Sequence, residues 1–151
     1  MFVPTAPIFR SATRADVPTI VSLLADDVLG AGREGDTDAY WTAFERVAAD
    51  PRTELIVADI GGEVAGTLQL TFLPGLSRMG AERAQIEAVR VAASHRRRGL
   101  GREMITWAVE QARGRGCALV QLTSDKRRSD AIRFYESLGF EPTHEGLKLP
   151  L

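Results

Sequence analysis

Three consecutive arginines, Arg96, Arg97 and Arg98, run directly into Gly99, Leu100, Gly101 and Arg102 in the stretch SHRRRGLGREM. Such a segment can hold an anion. Glycines at 99 and 101 keep bulk away from the backbone, and a helix beginning at Gly99 would aim its first amides and the positive end of its dipole at the bound group. The guanidinium groups add charge from the rim. The rival reading is a solvated basic run with two turn glycines, the commoner fate of an isolated basic triplet. A second candidate is Glu87, a carboxylate inside the apolar run IEAVRV, where such a group is uncommon unless paired or functional. Strict strand alternation would place Glu87 on the face of Val89 and opposite to Arg90, leaving a functional group or a buried salt bridge as its competing roles.

Several anion-binding classes fail on the residues. A dinucleotide fingerprint needs a third glycine where this chain has Met104, although Asp125 lies near the place for a ribose-binding acid. No Gly-Lys-Ser/Thr follows the glycines, which removes the nucleoside-triphosphate loop. With 19 Lys and Arg against 20 Asp and Glu, the chain lacks the wide basic face that nucleic-acid binding favours. His95 and His144 have no third partner at a metal-ligand spacing, so no metal is expected.

The elements that must position these residues follow from periodicity. PIFRSAT reads as a short strand, and Val17, Ile20, Leu23, Leu24 and Val28 recur at helical spacing after it. The turn-rich GAGREGDT precedes a second helix with Tyr40, Phe44 and Val47 on one face and Asp36 or Thr37 as its cap. TELIVADI and EVAGTLQLTFL flank Gly61 and Gly62, a hairpin signal. RAQIEAVRV is the next strand, and Leu100, Met104, Trp107 and Ala108 share a face of the helix that follows, with Gly114 and Gly116 as its stops. CALVQLTS reads as a buried strand, SDAIRFYESLG as a short helix, and FEPTHEGLKLPL as one or two closing strands. Mixed strand and helix order in 151 residues implies one α/β (α+β) domain. Hydrophobic residues at 44% and charged residues at 26% suit a compact water-soluble chain. No stretch has the length of a membrane span or the form of a signal peptide, so a cytoplasmic location is expected. The single cysteine, Cys117, opens an apolar run and reads as packing.

RRRGLG resembles the Arg/Gln-x-x-Gly-x-Gly/Ala motif of the GNAT superfamily of acyl-CoA-dependent N-acetyltransferases. DAIRFYESLGF resembles its second element, Ala-x-x-Phe-Tyr-x-x-x-Gly-Phe. Their order, their separation by one helix and one strand, and the preceding IEAVRV strengthen the match, which is sharpest from about Gln85 to Phe140. The resemblance implies a single GNAT-like domain with a mixed sheet of about six to seven strands and about four α-helices. It implies acetyl-CoA as co-substrate, with Arg96 as first motif position, Gly99 and Gly101 as the motif glycines, and the amides of Arg97 to Arg102 on the pyrophosphate. Main-chain groups around Val89, Arg90 and Val91 would pair with the pantetheine arm, the Val89 N–H would stabilise the oxyanion, and the Val89 and Val91 side chains would pack in the core. Glu87 becomes the general base, with a buried salt bridge as its rival. Tyr135 matches the tyrosine that protonates or hydrogen-bonds the departing thiolate. The chain departs from the family at Arg128, where many members carry asparagine; Arg128 is either a further phosphate contact or a solvated side chain.

The implied acceptor is a primary amine of a small molecule or peptide, bound without nucleic acid or membrane, and a homodimer is expected. The alternative is a non-catalytic acyl-CoA sensor of the same fold. Asp26, Asp27, Glu34, Asp36 and Asp38 either draw a cationic amine electrostatically or face water.

Overall fold

The computed structural model describes residues 3–27, 29–35 and 38–151. These fall into two compact units, Met1–Gln121 and Leu122–Leu151. In the first unit, strand β1 (Ile8–Ser11) is followed by helices α1 (Val17–Ala25) and α2 (Ala39–Ala49). Strands β2 (Thr53–Ile60) and β3 (Glu63–Leu73) come next, then a four-residue turn α3 (Ser77–Gly80), β4 (Arg83–Val91), α4 (Leu100–Arg115) and β5 (Leu119–Gln121). The second unit holds α5 (Ser129–Ser137) and an extended tail.

The sheet runs in sequence order, β1 to β5. Its first four strands are antiparallel and β5 joins β4 in parallel. Gly61 and Gly62, at φ 62° and 90°, form the two-residue hairpin turn, in which two left-handed residues match the twist of the strands. Direct pairing carries Arg10, Val57, Thr67 and Arg90 across one face and Phe9, Ala58, Gly66 and Val91 across the other. Helix α4 covers the second face: Phe9 lies 5.7 Å from Trp107, and Met104 fills the space where Gly66 has no side chain. Helix α1 packs on β3 and β4, α2 on β2. Leu68, Leu70, Ile86, Met104 and Ile105 are fully buried and form the core of this unit.

Among the described residues, five strands and five α-helical segments stand where about six to seven strands and about four α-helices are expected. The difference lies at the C-terminus, since Phe140 to Leu151 form no strand. Leu147, Leu149 and Leu151 alternate as a strand would, but all three are exposed. Helix α4 starts at Leu100 rather than Gly99, and Gly114 lies inside it; only Gly116, at φ 83°, ends it. Val28, Asp36 and Thr37 lie outside the described residues, and the N-cap of α2 is Asp38.

A partly buried ion network ties β1 to the start of α1. Arg10 donates to Asp16 Oδ2 at 2.7 Å and to Asp59 Oδ2 at 3.0 Å, while Asp16 also accepts from the Thr13 amide at 2.7 Å. The Arg10 hydrogen bond holds the Asp16 carboxyl down at about 2, against the opposing effect of burial. A carboxyl depressed in the folded state contributes stability above its unfolded value and loses it as pH falls through the folded one. Asp16 is 8% exposed, so its ionisation is worth about 2 kcal/mol, lost between roughly pH 5 and pH 2. Urea midpoints of the wild type and Asp16→Asn are expected to differ at pH 7 and to converge toward pH 2. A constant gap would show that the charge is not what stabilises the network.

Candidate active site

The central feature is a bulge in β4. Gln69 faces Glu87 and Thr67 faces Arg90, so Ala88 and Val89 together oppose Leu68. Ala88 takes φ 53°, a left-handed conformation that costs a non-glycine residue roughly 1 to 2 kcal/mol. The extra residue resets the alternation. Glu87 and Arg90 therefore emerge on the same face, correcting the strict-alternation reading that set them apart.

The bulge also corrects the buried-salt-bridge role for Glu87. Its side chain is exposed, and it accepts from Gln85 Nε2 at 3.0 Å and Gln69 Nε2 at 3.5 Å. No ion pair to Glu87 occurs among the described residues. The buried charge on this face is Arg90, which lies 2.9 Å from Asp27 Oδ2 and donates to the Val89 carbonyl at 2.9 Å. Asp27 also accepts from the Gly30 amide, so one carboxylate fastens the turn after α1 to the bulge. Val89, Arg90 and Val91 are half-buried.

The pairing of β4 with β5 ends at Gln85 and Gln121. From Ile86 to Val91, among the described residues, β4 is paired as a strand with β3 alone. A strand whose neighbour stops presents main-chain groups to any extended ligand that can pair with them.

Beyond β4, a short 3-10 turn (Ala93–His95) leads into exposed Arg96, Arg97, Arg98 and Gly99. Arg97 and Gly99 both take left-handed backbone, at φ 63° and 85°. The Glu103 amide closes on the Gly99 carbonyl at 3.1 Å, so the amides of Leu100, Gly101 and Arg102 precede the first intrahelical bond of α4. A Cβ built at Gly99 meets no atom of the protein within 4 Å, which leaves an open cradle directly before those amides. Gly101 is half-buried in the first turn. These residues fit a phosphate-bearing ligand.

Arg96 also has a structural task. It donates to the Val91 carbonyl at 3.1 Å and to Asp26 Oδ2 at 3.3 Å, tying the loop to β4 and to the end of α1. The acids expected to draw a cationic acceptor are thus partly engaged by the chain's own arginines: Asp26 by Arg96, Asp27 by Arg90, and Glu34 by Arg33. Glu34 further accepts from the Tyr40 hydroxyl at 2.7 Å.

In the second unit, Tyr135 lies on α5 with its ring edge-on to Phe134 and Phe140, at 5.2 and 5.8 Å. Arg128 occupies the N-cap position of α5 and makes no side-chain cap bond. A guanidinium only donates, whereas the asparagine common in the family at this place can accept from the helix amides. Cys117 is half-buried, and burial followed by the nearby Glu82 carboxylate pushes its thiol up, away from the thiolate a nucleophile requires. Among the described residues no group of three or more His, Cys, Asp or Glu is placed to hold a metal ion, and no helix is long and apolar enough to cross a membrane.

The bulge itself and the amides around Glu87 escape the sequence reading. Ala88 is a residue type that does not advertise left-handed backbone, whereas glycine there would have done so. Gln69, Gln85 and Gln121 show only as polar residues in strands.

The chain is similar to several known proteins. The model of the acetyltransferase (GNAT) family matches residues 19–140. Aminoalkylphosphonate N-acetyltransferase of Salmonella typhimurium is 28% identical over 135 residues, covering 89% of this chain and 85% of that one. Glucosamine 6-phosphate N-acetyltransferase of Trypanosoma brucei brucei is 34% identical over 90 residues, covering 60% of this chain and 59% of that one. A crystal structure of a transcriptional regulator from Bacillus halodurans C-125 is 47% identical, with a TM-score of 0.93 over 96% of this chain and 99% of that one.

Proposed function

Because the chain belongs to the GNAT acetyltransferase family, we propose that it moves an acetyl group from acetyl-CoA to a primary amine of a small molecule or peptide, by direct attack in a ternary complex. The observation that supports this reading most is the continuity of the site. A one-sided strand edge beside an exposed carboxylate leads straight into an arginine-rich loop and a helix start.

In this reading the amides of Arg97 to Arg102 and the cradle at Gly99 hold the pyrophosphate, with Arg97 and Arg98 supplying charge. The edge at Val89, Arg90 and Val91 holds the pantetheine amides, and the Val89 N–H stabilises negative charge on the thioester oxygen. Glu87 takes the proton of the acceptor. An amine of pKa about 10.4 is almost wholly protonated at pH 7, and freeing its lone pair costs roughly 4 to 5 kcal/mol. A carboxylate, acting directly or through water, lowers that barrier. Tyr135 hydrogen-bonds the departing sulfur; full transfer from a phenol near 10 to a thiol near 8.5 is uphill by roughly 2 kcal/mol unless neighbours help. Arg128 is a further phosphate contact in this reading, and a cytoplasmic homodimer is its expected state.

The test is release of free CoA thiol across a panel of amines. Both curated relatives named above act, by their names, on amines that carry a phosphonate or phosphate, so aminoalkylphosphonates and amino-sugar phosphates lead the panel. Turnover well above hydrolysis with any amine is the expected result, and Tyr135→Phe is expected to slow single-turnover thiol release on that amine by roughly tenfold. A second reading is a non-catalytic acyl-CoA sensor, which the 47% identity to a transcriptional regulator favours. Acetyl-CoA binding with no turnover on any amine would select it.

A further inference from the structure

A line of side chains crosses β5 and β4 and ends on Glu87. Arg83 Nη1 donates to Gln121 Oε1 at 3.4 Å, Gln121 Nε2 donates to Gln85 Oε1 at 2.9 Å, and Gln85 Nε2 donates to Glu87 Oε1 at 3.0 Å. The strands impose this order. Arg83, Gln85 and Glu87 alternate onto one face of β4 ahead of the bulge, and Gln121 is the direct partner of Gln85 on β5. The two ends fix the direction. A guanidinium only donates and an ionised carboxylate only accepts, so the two amides between them have one orientation in which every bond is made.

We infer that Arg83 is a positioning residue: through Gln121 and Gln85 it locks the amide groups so that an N–H, never a carbonyl oxygen, faces the Glu87 carboxylate. Its consequence for activity rests on the reading of Glu87 as the base. Gln69 Nε2 supplies a second donor from β3 at 3.5 Å, and that strand brings only Thr67, Gln69 and Thr71 to this face near Glu87. Beyond the bulge, Arg90 pairs with Asp27 and Arg96 with Asp26, tying β4 and the loop after it to the end of α1. Both of those pairs are internally neutral. Arg83 forms no ion pair among the described residues, and so it is the net cation linked to Glu87 by hydrogen bonds.

Without Arg83, nothing compels Gln121 to offer its oxygen outward. Both amides can then turn over, and Gln85 no longer has to hold Glu87 Oε1 with an N–H. The experiment compares wild type, Arg83→Met, Arg83→Lys and Gln85→Leu. The readouts are the Gln85 and Gln121 side-chain amide protons by nitrogen NMR, whose shifts and solvent exchange report what each N–H meets, and kcat with the best amine of the panel. In Arg83→Met the Gln121 and Gln85 amide protons are expected to shift and to exchange faster, with kcat at pH 7 falling about threefold to tenfold and KM for acetyl-CoA unchanged. Arg83→Lys, also a pure donor, is expected to restore the wild-type amide signals. Gln85→Leu should lower kcat as well, and adding Arg83→Met to it should change nothing further. Unmoved Gln85 and Gln121 amide signals in Arg83→Met overturn the relay, whatever the activity does. Amide signals that move while kcat does not uphold the relay and remove Glu87 from the base role.

Discussion

Replacing Gly99 is expected to weaken acetyl-CoA binding by roughly 100-fold, or about 2.7 kcal/mol, in isothermal titration calorimetry. Two effects meet at this residue and can be separated. The backbone is left-handed at φ 85°, so a β-branched side chain strains it, whereas asparagine tolerates that region. The space a side chain would enter contains no protein atom within 4 Å, so the folded chain itself does not oppose the substitution. Gly99→Asn should therefore keep close to wild-type stability and still lose affinity, because its side chain fills the cradle ahead of the α4 amides. Gly99→Val should lose affinity and about 1 to 2 kcal/mol of stability as well. Unchanged affinity in Gly99→Asn would refute the cradle as the phosphate site. Unchanged stability in Gly99→Val would show that the loop can leave its left-handed conformation at no cost.

The parts of the molecule that sequence alone made legible are those set by local pattern. Thr53–Ile60, Glu63–Leu73 and Arg83–Val91 emerge as strands with the limits the pattern implies, because each bears a long apolar or β-branched run and the first two meet at two glycines. Helix α4 is legible because Leu100, Met104 and Ala108 recur at its period, and all three are buried. The tail is misread for a reason that lies elsewhere in the chain. Leu147, Leu149 and Leu151 alternate as well as any strand, but a strand needs a partner, and no local pattern reports whether one is available. The site shows the same boundary. The arginine and glycine types of the loop are local signals, and the structure places Arg97 and Gly99 in the left-handed turns that precede α4. What surrounds Glu87 depends on pairing across three strands and on one inserted residue, Ala88, and a single strand's alternation carries no information about either.

That inserted residue is also why Glu87 bears the largest catalytic expectation. The bulge leaves its carboxylate exposed on a strand edge with two amide donors and no cation among the described residues in contact with it, so both oxygens are oriented and neither is neutralised. Glu87→Gln preserves shape and removes the proton acceptor. At pH 7 kcat is expected to fall by roughly 100-fold to 10,000-fold, the range spanned by loss of a general base. The pH dependence distinguishes this from simple damage. A variant without a base must wait for solvent to deliver the neutral amine, whose fraction rises tenfold per pH unit below a pKa of about 10.4. The rate of Glu87→Gln should therefore climb steeply through pH 8 and 9, while the wild type, in which Glu87 is proposed to take that proton, should rise less. The gap between them should narrow accordingly. Acetyl-CoA affinity should not change, because Glu87 lies on the strand and not in the arginine loop. A Glu87→Gln variant with wild-type kcat at pH 7 would exclude Glu87 as the base, and a loss independent of pH would make it a binding group for the acceptor.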